Sequence, residues 1–89
     1  MADVKIYTTK LCIYCLRAKA LLSKKGVAFQ EIDASHNPEL RRWLRELTGS
    51  PTVPQIFING QGVGGYDDIA ALDRQGALDK LLAVGAQSS

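Results

Sequence analysis

Histidine and cysteine are scarce in this sequence, which has one histidine and two cysteines among its 89 residues. A structural zinc ion usually takes four side-chain ligands, and apart from the two cysteines His36 is the only other obvious candidate. A structural disulfide between cysteines so close in sequence would close a very small loop and restrict the unfolded chain little. We therefore expect no metal site within one chain and no structural role for a disulfide.

Long apolar runs and concentrated charge are also missing. No stretch approaches the roughly 18 consecutive apolar residues of a transmembrane helix, and the N-terminus lacks the apolar core of a signal peptide. We therefore expect a cytoplasmic protein without a membrane partner. The net charge is only +2 and the basic residues are spread along the chain, which argues against nucleic acid as a partner. Length and composition predict one globular domain, residues 1–89.

The two cysteines lie where a predicted strand, residues 4–8, gives way to a predicted helix, residues 13–25. Cys12 falls at the start of that helix, and Cys15 follows one turn later. The first N–H groups of a helix lack intrahelical partners and carry partial positive charge, which favours a thiolate. Cysteines in this position, in Cys-x-x-Cys or beside a cation such as Lys10, can have pKa values of roughly 3.5–7.5. The pattern predicts an exposed, acidic Cys12 and an inward Cys15 that can form a reversible disulfide with it.

Two unrelated core cysteines would also fit this spacing. However, a Cys-x-x-Cys beside a β-α-β pattern in a chain with no other cysteine is typical of a redox pair.

The whole chain predicts the order β-α-β-α-β-β-α-α, with a frayed tail over residues 85–89. Two strands joined by a helix should be parallel with a right-handed crossover, and Asn59-Gly60 predicts a hairpin between the last two strands. We therefore expect an α/β fold, a four-stranded mixed β-sheet flanked by helices on both faces. The predicted strands span residues 4–8, 27–33, 55–58 and 61–63, and the predicted helices span residues 13–25, 38–48, 66–75 and 77–84.

The second and third predicted helices begin at recognisable caps. Asn37 before a proline is the expected cap of the second helix, and Asp67 is the candidate cap of the third. The second helix also carries an expected buried stripe with a tryptophan at its edge, which we interpret as packing rather than as a binding platform. The stripe consists of Leu40, Leu44 and Leu47, and the tryptophan is Trp43.

Four separated segments carry a resemblance to a known family, namely Lys10 with Cys12-Ile13-Tyr14-Cys15, Thr52-Val53-Pro54, Gln55-Ile56-Phe57-Ile58 and Gly64-Gly65-Tyr66-Asp67-Asp68. In these segments the sequence resembles the glutaredoxin family of the thioredoxin fold, and the likeness covers nearly its whole length. Each matching segment alone is weak, but their order and spacing together are specific to the small, single-domain dithiol class. The resemblance implies a thioredoxin-like sheet and a cis peptide bond between Val53 and Pro54. Ile13 stands where the usual motif has proline, so the motif leaves the redox potential open.

The resemblance further implies glutathione as reductant and co-substrate, with no metal required. The helix start at Gly65 would take the γ-glutamyl carboxylate, and Asp67 or Asp68 would hold the ammonium. Lys10 and Arg41 match positions that take the glycyl carboxylate, although each is also interpretable as plain solvated charge. The glutathione-binding residues implied are Lys10, Tyr14, Arg41, Thr52, Val53, Pro54, Gly65, Tyr66, Asp67 and Asp68, with Gln55 a weaker candidate.

The activity implied is reduction of protein disulfides and glutathione mixed disulfides. Cys12 would attack a disulfide sulfur and form a mixed disulfide, and Cys15 would resolve it. The implied partners are glutathione and glutathionylated or disulfide-containing proteins, and we expect a monomer.

Three other functions remain open from the residues. The main alternative is a carrier of a glutathione-ligated [2Fe–2S] cluster, with Cys12 from each of two subunits as protein ligands. A thioredoxin-like reductase fed by a flavoenzyme is the second, and a noncatalytic interaction domain, which would not need both thiols, is the third. Lys10 and the Gly-Gly-Tyr-Asp-Asp segment favour glutathione.

Overall fold

The computed structural model describes residues 2–84, and within them the elements follow the predicted order. The strands are β1 Val4–Thr8, β2 Gln30–Asp33, β3 Gln55–Ile58 and β4 Gln61–Gly64. The helices are α1 Ile13–Lys24, α2 Pro38–Thr48, α3 Tyr66–Arg74 and α4 Ala77–Ala83. No helix in this part of the chain is long and apolar enough to cross a membrane. The predicted tail over residues 85–89 lies outside the described residues.

The four strands form one mixed sheet in the order β2-β1-β3-β4, which confirms the predicted architecture. β1 is parallel to β2 and antiparallel to β3, and β3 is antiparallel to β4. Asn59 and Gly60 have φ values of 53° and 81°, as a two-residue type I′ hairpin turn requires. Because Tyr7 near the end of β1 pairs with Gln55 at the start of β3, the loop after β1 and the loop before β3 meet at one edge of the sheet.

The main core lies between one face of the sheet and helices α1, α3 and α4. Ile6 and Ile56 pair across β1 and β3, and both are fully buried. Leu22 of α1, Ile69 of α3 and Leu78 of α4 belong to the same buried cluster. Burial of each such side chain contributes about 1.5–3 kcal/mol. This cluster fixes α1 and α3 on the sheet, and with them the two helix N-termini that form the site.

An aromatic cluster lies on the other face of the sheet, beneath α2. The Tyr7 ring contacts Trp43 at 6.0 Å and Phe57 at 5.6 Å between centroids, so Trp43 packs as predicted, although it is 47% exposed. Leu44 is buried, but Leu47 is 56% exposed, and the prediction that Leu47 belongs to the core was wrong. Helical spacing identifies the inward face of α2 but not how far the sheet extends beneath it, and Leu47 instead lines a surface groove.

Local signals fixed the start of α2 but not that of β2. The Asn37 carboxamide oxygen accepts from the Leu40 N–H at 3.0 Å, which confirms the predicted cap. β2 begins at Gln30 rather than at residue 27, because pairing with β1 starts at Lys5 opposite Gln30. The preceding Val27 N–H instead donates to the Leu22 carbonyl at the end of α1. The predicted ends of α1, α3 and α4 were each one residue too long, and the predicted end of β4 was one residue too short.

Candidate active site

Cys12 is the N-cap of α1. The loop after β1 turns at Leu11, which has a positive φ of 59°, and then delivers Cys12 in an extended conformation. The Cys12 Sγ accepts a hydrogen bond from the Cys15 N–H at 3.2 Å. The free N–H groups of a first helical turn and the helix dipole both favour negative charge at this sulfur. This is the position predicted for the nucleophile, and Cys12 is partly exposed there.

Cys15 occupies a very different environment one turn further along α1. Its side chain is only 2% exposed. Burial, followed by its hydrogen bond with Cys12, raises the pKa of the Cys15 thiol to about 11. Cys15 is therefore a protonated thiol at neutral pH, and the inward position predicted for it is confirmed.

The different exposure of the two thiols predicts selective alkylation. In the reduced protein at pH 8, iodoacetamide is expected to modify Cys12 and to spare Cys15. Modification of Cys15 should increase as the pH rises toward about 11, because its pKa is raised and the thiolate is the nucleophile. Peptide mapping by mass spectrometry measures both sites, and Cys15→Ser provides the one-site control. Equal modification of both thiols at pH 8 would contradict the assignment.

The loop before β3 faces Cys12 across the edge of the sheet. The Val53 carbonyl oxygen lies 3.9 Å from Cys12 Sγ, and the Val53–Pro54 peptide bond is cis, as the resemblance implied. The buried Gln55 amide holds this loop by donating to the Thr52 carbonyl at 2.8 Å and to the Ser50 carbonyl at 3.3 Å. Within residues 2–84 the Val53 N–H has no hydrogen-bond acceptor. The Val53 N–H is therefore available to an incoming chain, whereas the Val53 carbonyl accepts a weak hydrogen bond from the Cys12 thiol.

The N-terminus of α3 packs against the loop before β3. Its N-cap is Gly65 rather than the predicted Asp67, which lies inside the first turn. Asp68 carries the capping interaction, since its carboxylate accepts from the Gly65 N–H at 2.9 Å. A β-carbon at Gly65 would lie 3.2 Å from the Pro54 carbonyl oxygen, so a residue without a side chain allows the helix to approach the loop. Sequence reasoning chose Asp67 because aspartate is a preferred cap and glycine gives no hydrogen-bonding signal.

These elements enclose a groove of about 730 Å³. The Tyr14 and Tyr66 rings stand on one side of it, 6.3 Å apart between centroids. The groove brings together most of the predicted glutathione-binding residues but not Lys10 or Arg41. The predicted residues that line the groove are Tyr14, Thr52, Val53, Pro54, Gly65, Tyr66, Asp67 and Asp68, together with the weaker candidate Gln55. It also contains residues that sequence reasoning did not assign to the site, namely Leu47, Thr48, Ser50, Phe57, Gly60, Gly62 and Gly64.

A second, smaller cavity of about 300 Å³ lies behind the cysteines. Both thiols and Lys10 line it, whereas Arg41 lies on the exposed surface of α2 and lines neither cavity. Three charged residues that sequence reasoning did not single out, Lys19, Glu31 and Asp33, also line it. No local motif identifies them, because Lys19 lies on α1 and the two carboxylates lie on β2, and only the fold brings them together.

Known proteins resemble this chain in sequence and in fold. A family model described as Glutaredoxin matches residues 4–63. The chain belongs to the glutaredoxin family. It is 55% identical over 82 residues to glutaredoxin 3 of Escherichia coli K12, covering 92% of this chain and 99% of that protein. Membership in the family makes the protein a thiol–disulfide oxidoreductase.

Solved structures of glutaredoxins confirm the thioredoxin-like fold. The solution structure of glutaredoxin from Brucella melitensis matches with a TM-score of 0.84 and 57% identity, covering 92% of this chain and 89% of that one. The crystal structure of a buckwheat glutaredoxin–glutathione complex matches with a TM-score of 0.85 and 30% identity, covering 91% and 76%.

Proposed function

We propose that this glutaredoxin uses glutathione to reduce protein disulfides and glutathione mixed disulfides, with Cys12 as nucleophile and Cys15 as resolving thiol. The observation that carries the proposal is the position of Cys12 Sγ, at a helix N-terminus and 3.9 Å from the carbonyl of Val53, which lines a groove of about 730 Å³. The similar buckwheat protein, whose structure is a complex with glutathione, supports the choice of ligand.

The γ-glutamyl end of glutathione fits the N-terminus of α3. Free N–H groups at a helix start bind carboxylates, and glycine at the N-cap leaves them without a side-chain acceptor. Asp67 and Asp68 are exposed beside these groups and line the groove, so they supply the charge that an ammonium requires. Asp68 already accepts from the Gly65 N–H, which makes Asp67 the carboxylate with greater freedom to bind the ligand.

The cysteinyl part of glutathione fits the backbone of Val53. Its free N–H group, and its C=O group once Cys12 has lost its proton, would pair with the ligand backbone, as an added strand pairs with a sheet edge. Tyr14 and Tyr66 would flank the ligand from one side, and Thr52 and Pro54 would form the adjacent wall. This arrangement would place the glutathione sulfur beside Cys12.

The glycyl carboxylate would lie toward the basic residues at the other end. Lys10 is the stronger candidate, because it lines the smaller cavity together with Cys12. Arg41 is exposed on α2 and lines neither cavity, so its proposed contribution is long-range attraction of the carboxylate. The Gln55 amide already donates to two carbonyls of the loop, and we assign it to loop support.

The proposed reaction begins with attack of the Cys12 thiolate on the glutathione sulfur of a glutathionylated protein. A bond forms between these two sulfurs, and the protein sulfur leaves as a thiolate that takes a proton from solvent. The thiolate of a second glutathione then attacks the glutathione sulfur on Cys12, which releases glutathione disulfide and regenerates Cys12. In the dithiol variant, a protein substrate is disulfide-bonded to Cys12, and Cys15 displaces it and forms the Cys12–Cys15 disulfide.

The α3 end of the site is tested by replacing its two carboxylates separately. Asp67→Asn is expected to raise the KM for glutathione by roughly twofold to fivefold, the effect of one exposed charge pair, with little change in stability. Asp68→Asn should raise the KM and also lower the free energy of unfolding by about 0.3–1 kcal/mol, because the negative charge at the N-terminus of α3 is lost although the amide oxygen still accepts from the Gly65 N–H. Steady-state kinetics and urea unfolding measure the two effects. An unchanged KM in both variants would rule out this binding mode.

The colour and the oligomeric mass of the purified protein distinguish the alternative function, carriage of an iron–sulfur cluster, from the proposed enzyme activity. Among residues 2–84 no group of three or more histidine, cysteine or acidic side chains converges on a metal position, so a cluster would require ligands from outside one chain. Anaerobic purification that gives a brown dimer would favour the carrier. A colourless monomer that turns over a glutathione mixed disulfide would favour the enzyme.

A further inference from the structure

The cavity behind the cysteines contains an anchored cation. Lys19 Nζ lies 3.0 Å and 3.2 Å from the two carboxylate oxygens of Glu31. Glu31 in turn accepts a 2.8 Å hydrogen bond from the hydroxyl of Thr8, a residue only 2% exposed. The Thr8 hydrogen bond and then Lys19 lower the pKa of Glu31, so the carboxylate is ionised at neutral pH. The buried end of β1 thus holds the Lys19 ammonium at the cavity wall.

The other charges around this cavity are held elsewhere or are unanchored. The Asp33 carboxylate accepts from both the N–H and the hydroxyl of Ser35, at 2.8 Å and 2.6 Å. The Lys10 side chain is exposed and forms no ion pair with any residue of the described chain. Lys19 is therefore the cation whose position the fold determines.

Lys19 is also on the same side of α1 as the resolving thiol. Cys15 and Lys19 are four residues apart, a spacing that places side chains next to each other on a helix. Both line the same cavity. Burial raises the pKa of the Cys15 thiol, whereas the Thr9 backbone and the Lys19 ammonium oppose this effect.

We propose that Lys19, anchored by Glu31 and Thr8, is a positioning residue for the resolving step, in which its charge stabilises the Cys15 thiolate as it forms. The inference rests on the dithiol variant of the proposed function. In that step Cys15 loses its proton to water in the cavity, and its sulfur attacks Cys12 Sγ of the mixed disulfide. The Cys12–Cys15 bond forms, the bond from Cys12 to the substrate sulfur breaks, and the substrate leaves as a thiolate that takes up a proton. The Cys15 sulfur is oxidised and the substrate sulfur is reduced, while Cys12 stays in a disulfide throughout the step.

The test uses 5,5′-dithiobis(2-nitrobenzoate) at one equivalent per reduced chain. Attack by Cys12 releases one nitrothiobenzoate in a phase whose rate depends on reagent concentration. Attack by Cys15 on the resulting mixed disulfide releases the second in a first-order phase. We expect Lys19→Met to slow the second phase by roughly threefold to tenfold. Without the nearby ammonium a smaller fraction of Cys15 is thiolate, and the greater intrinsic nucleophilicity of each Cys15 thiolate offsets only part of this loss. The first phase should change by less than about twofold, since Cys12 already has the helix N-terminus.

Two further variants distinguish charge from structure. Lys19→Arg keeps the charge and should restore the second phase, and Lys24→Met, an exposed lysine at the end of the same helix, should leave both phases unchanged. A second phase in Lys19→Met equal to that of the wild type, or slowing in Lys19→Arg as severe as in Lys19→Met, would overturn the inference alone. Release of a single equivalent by the wild-type protein would instead overturn the resolving role of Cys15 and the inference together.

Discussion

Replacement of Cys12 by serine is expected to abolish turnover of glutathione mixed disulfides, and replacement of Cys15 by serine is expected to retain it. Cys12 is the partly exposed thiol, accepts the Cys15 N–H at 3.2 Å and lies 3.9 Å from the Val53 carbonyl beside the groove. A serine hydroxyl cannot ionise there to a useful extent, so the loss should exceed roughly a thousandfold, as for removal of other nucleophiles. The glutathione route requires no second thiol, and Cys15→Ser should therefore keep most of its activity.

The decisive assay measures reduction of the mixed disulfide of glutathione and 2-mercaptoethanol, coupled to glutathione reductase. A second substrate with an intramolecular protein disulfide should show the opposite sensitivity, because releasing its mixed disulfide requires the resolving thiol. Cys15→Ser is then expected to lose activity with that substrate alone. If Cys15→Ser were inactive with the glutathione substrate while Cys12→Ser remained active, the two roles would be reversed.

Most of the fold was predictable because its signals are local. Asn37 marks the start of α2 with a side-chain hydrogen bond that the sequence implies directly, and Asn59-Gly60 requires the backbone that it adopts. The position of Cys12 between a strand and a helix followed from two adjacent patterns, and the environment of its sulfur followed from helix geometry.

The errors occurred where tertiary structure decides the outcome. β2 begins at Gln30 because pairing with β1 begins there. The strand-like sequence pattern starts earlier, at residue 27, but residues 27–29 have no pairing partner on β1. Leu47 has the spacing of a core residue but lies in the last turn of α2, where it lines the groove. The cap of α3 is Gly65, where a β-carbon would lie only 3.2 Å from the Pro54 carbonyl oxygen. The pairing of Lys19 with Glu31 depends on how α1 packs against β2.

The second large effect is expected from Gly64→Ala, at the junction of β4 and α3. Gly64 has a φ of +101°, and a β-carbon there would overlap the carboxyl group of Asp68. Asp68 holds the N-terminus of α3 through the Gly65 N–H, so the added methyl group must displace either the cap or the strand end. We expect the free energy of unfolding to fall by about 2–4 kcal/mol, the combined effect of backbone strain, overpacking and a weakened cap.

Gly76→Ala is the matched control for backbone strain alone. Gly76 has a φ of +75°, and a β-carbon there would meet no atom within 4 Å, so its replacement should lower the free energy of unfolding by only about 1 kcal/mol. Urea unfolding compares the two variants, and steady-state kinetics should show a raised KM for glutathione in Gly64→Ala only. If Gly64→Ala were no less stable than Gly76→Ala and bound glutathione normally, contact with Asp68 would not be what requires glycine at this position. If it were less stable but kept its KM, the N-terminus of α3 would not be the site of the γ-glutamyl group.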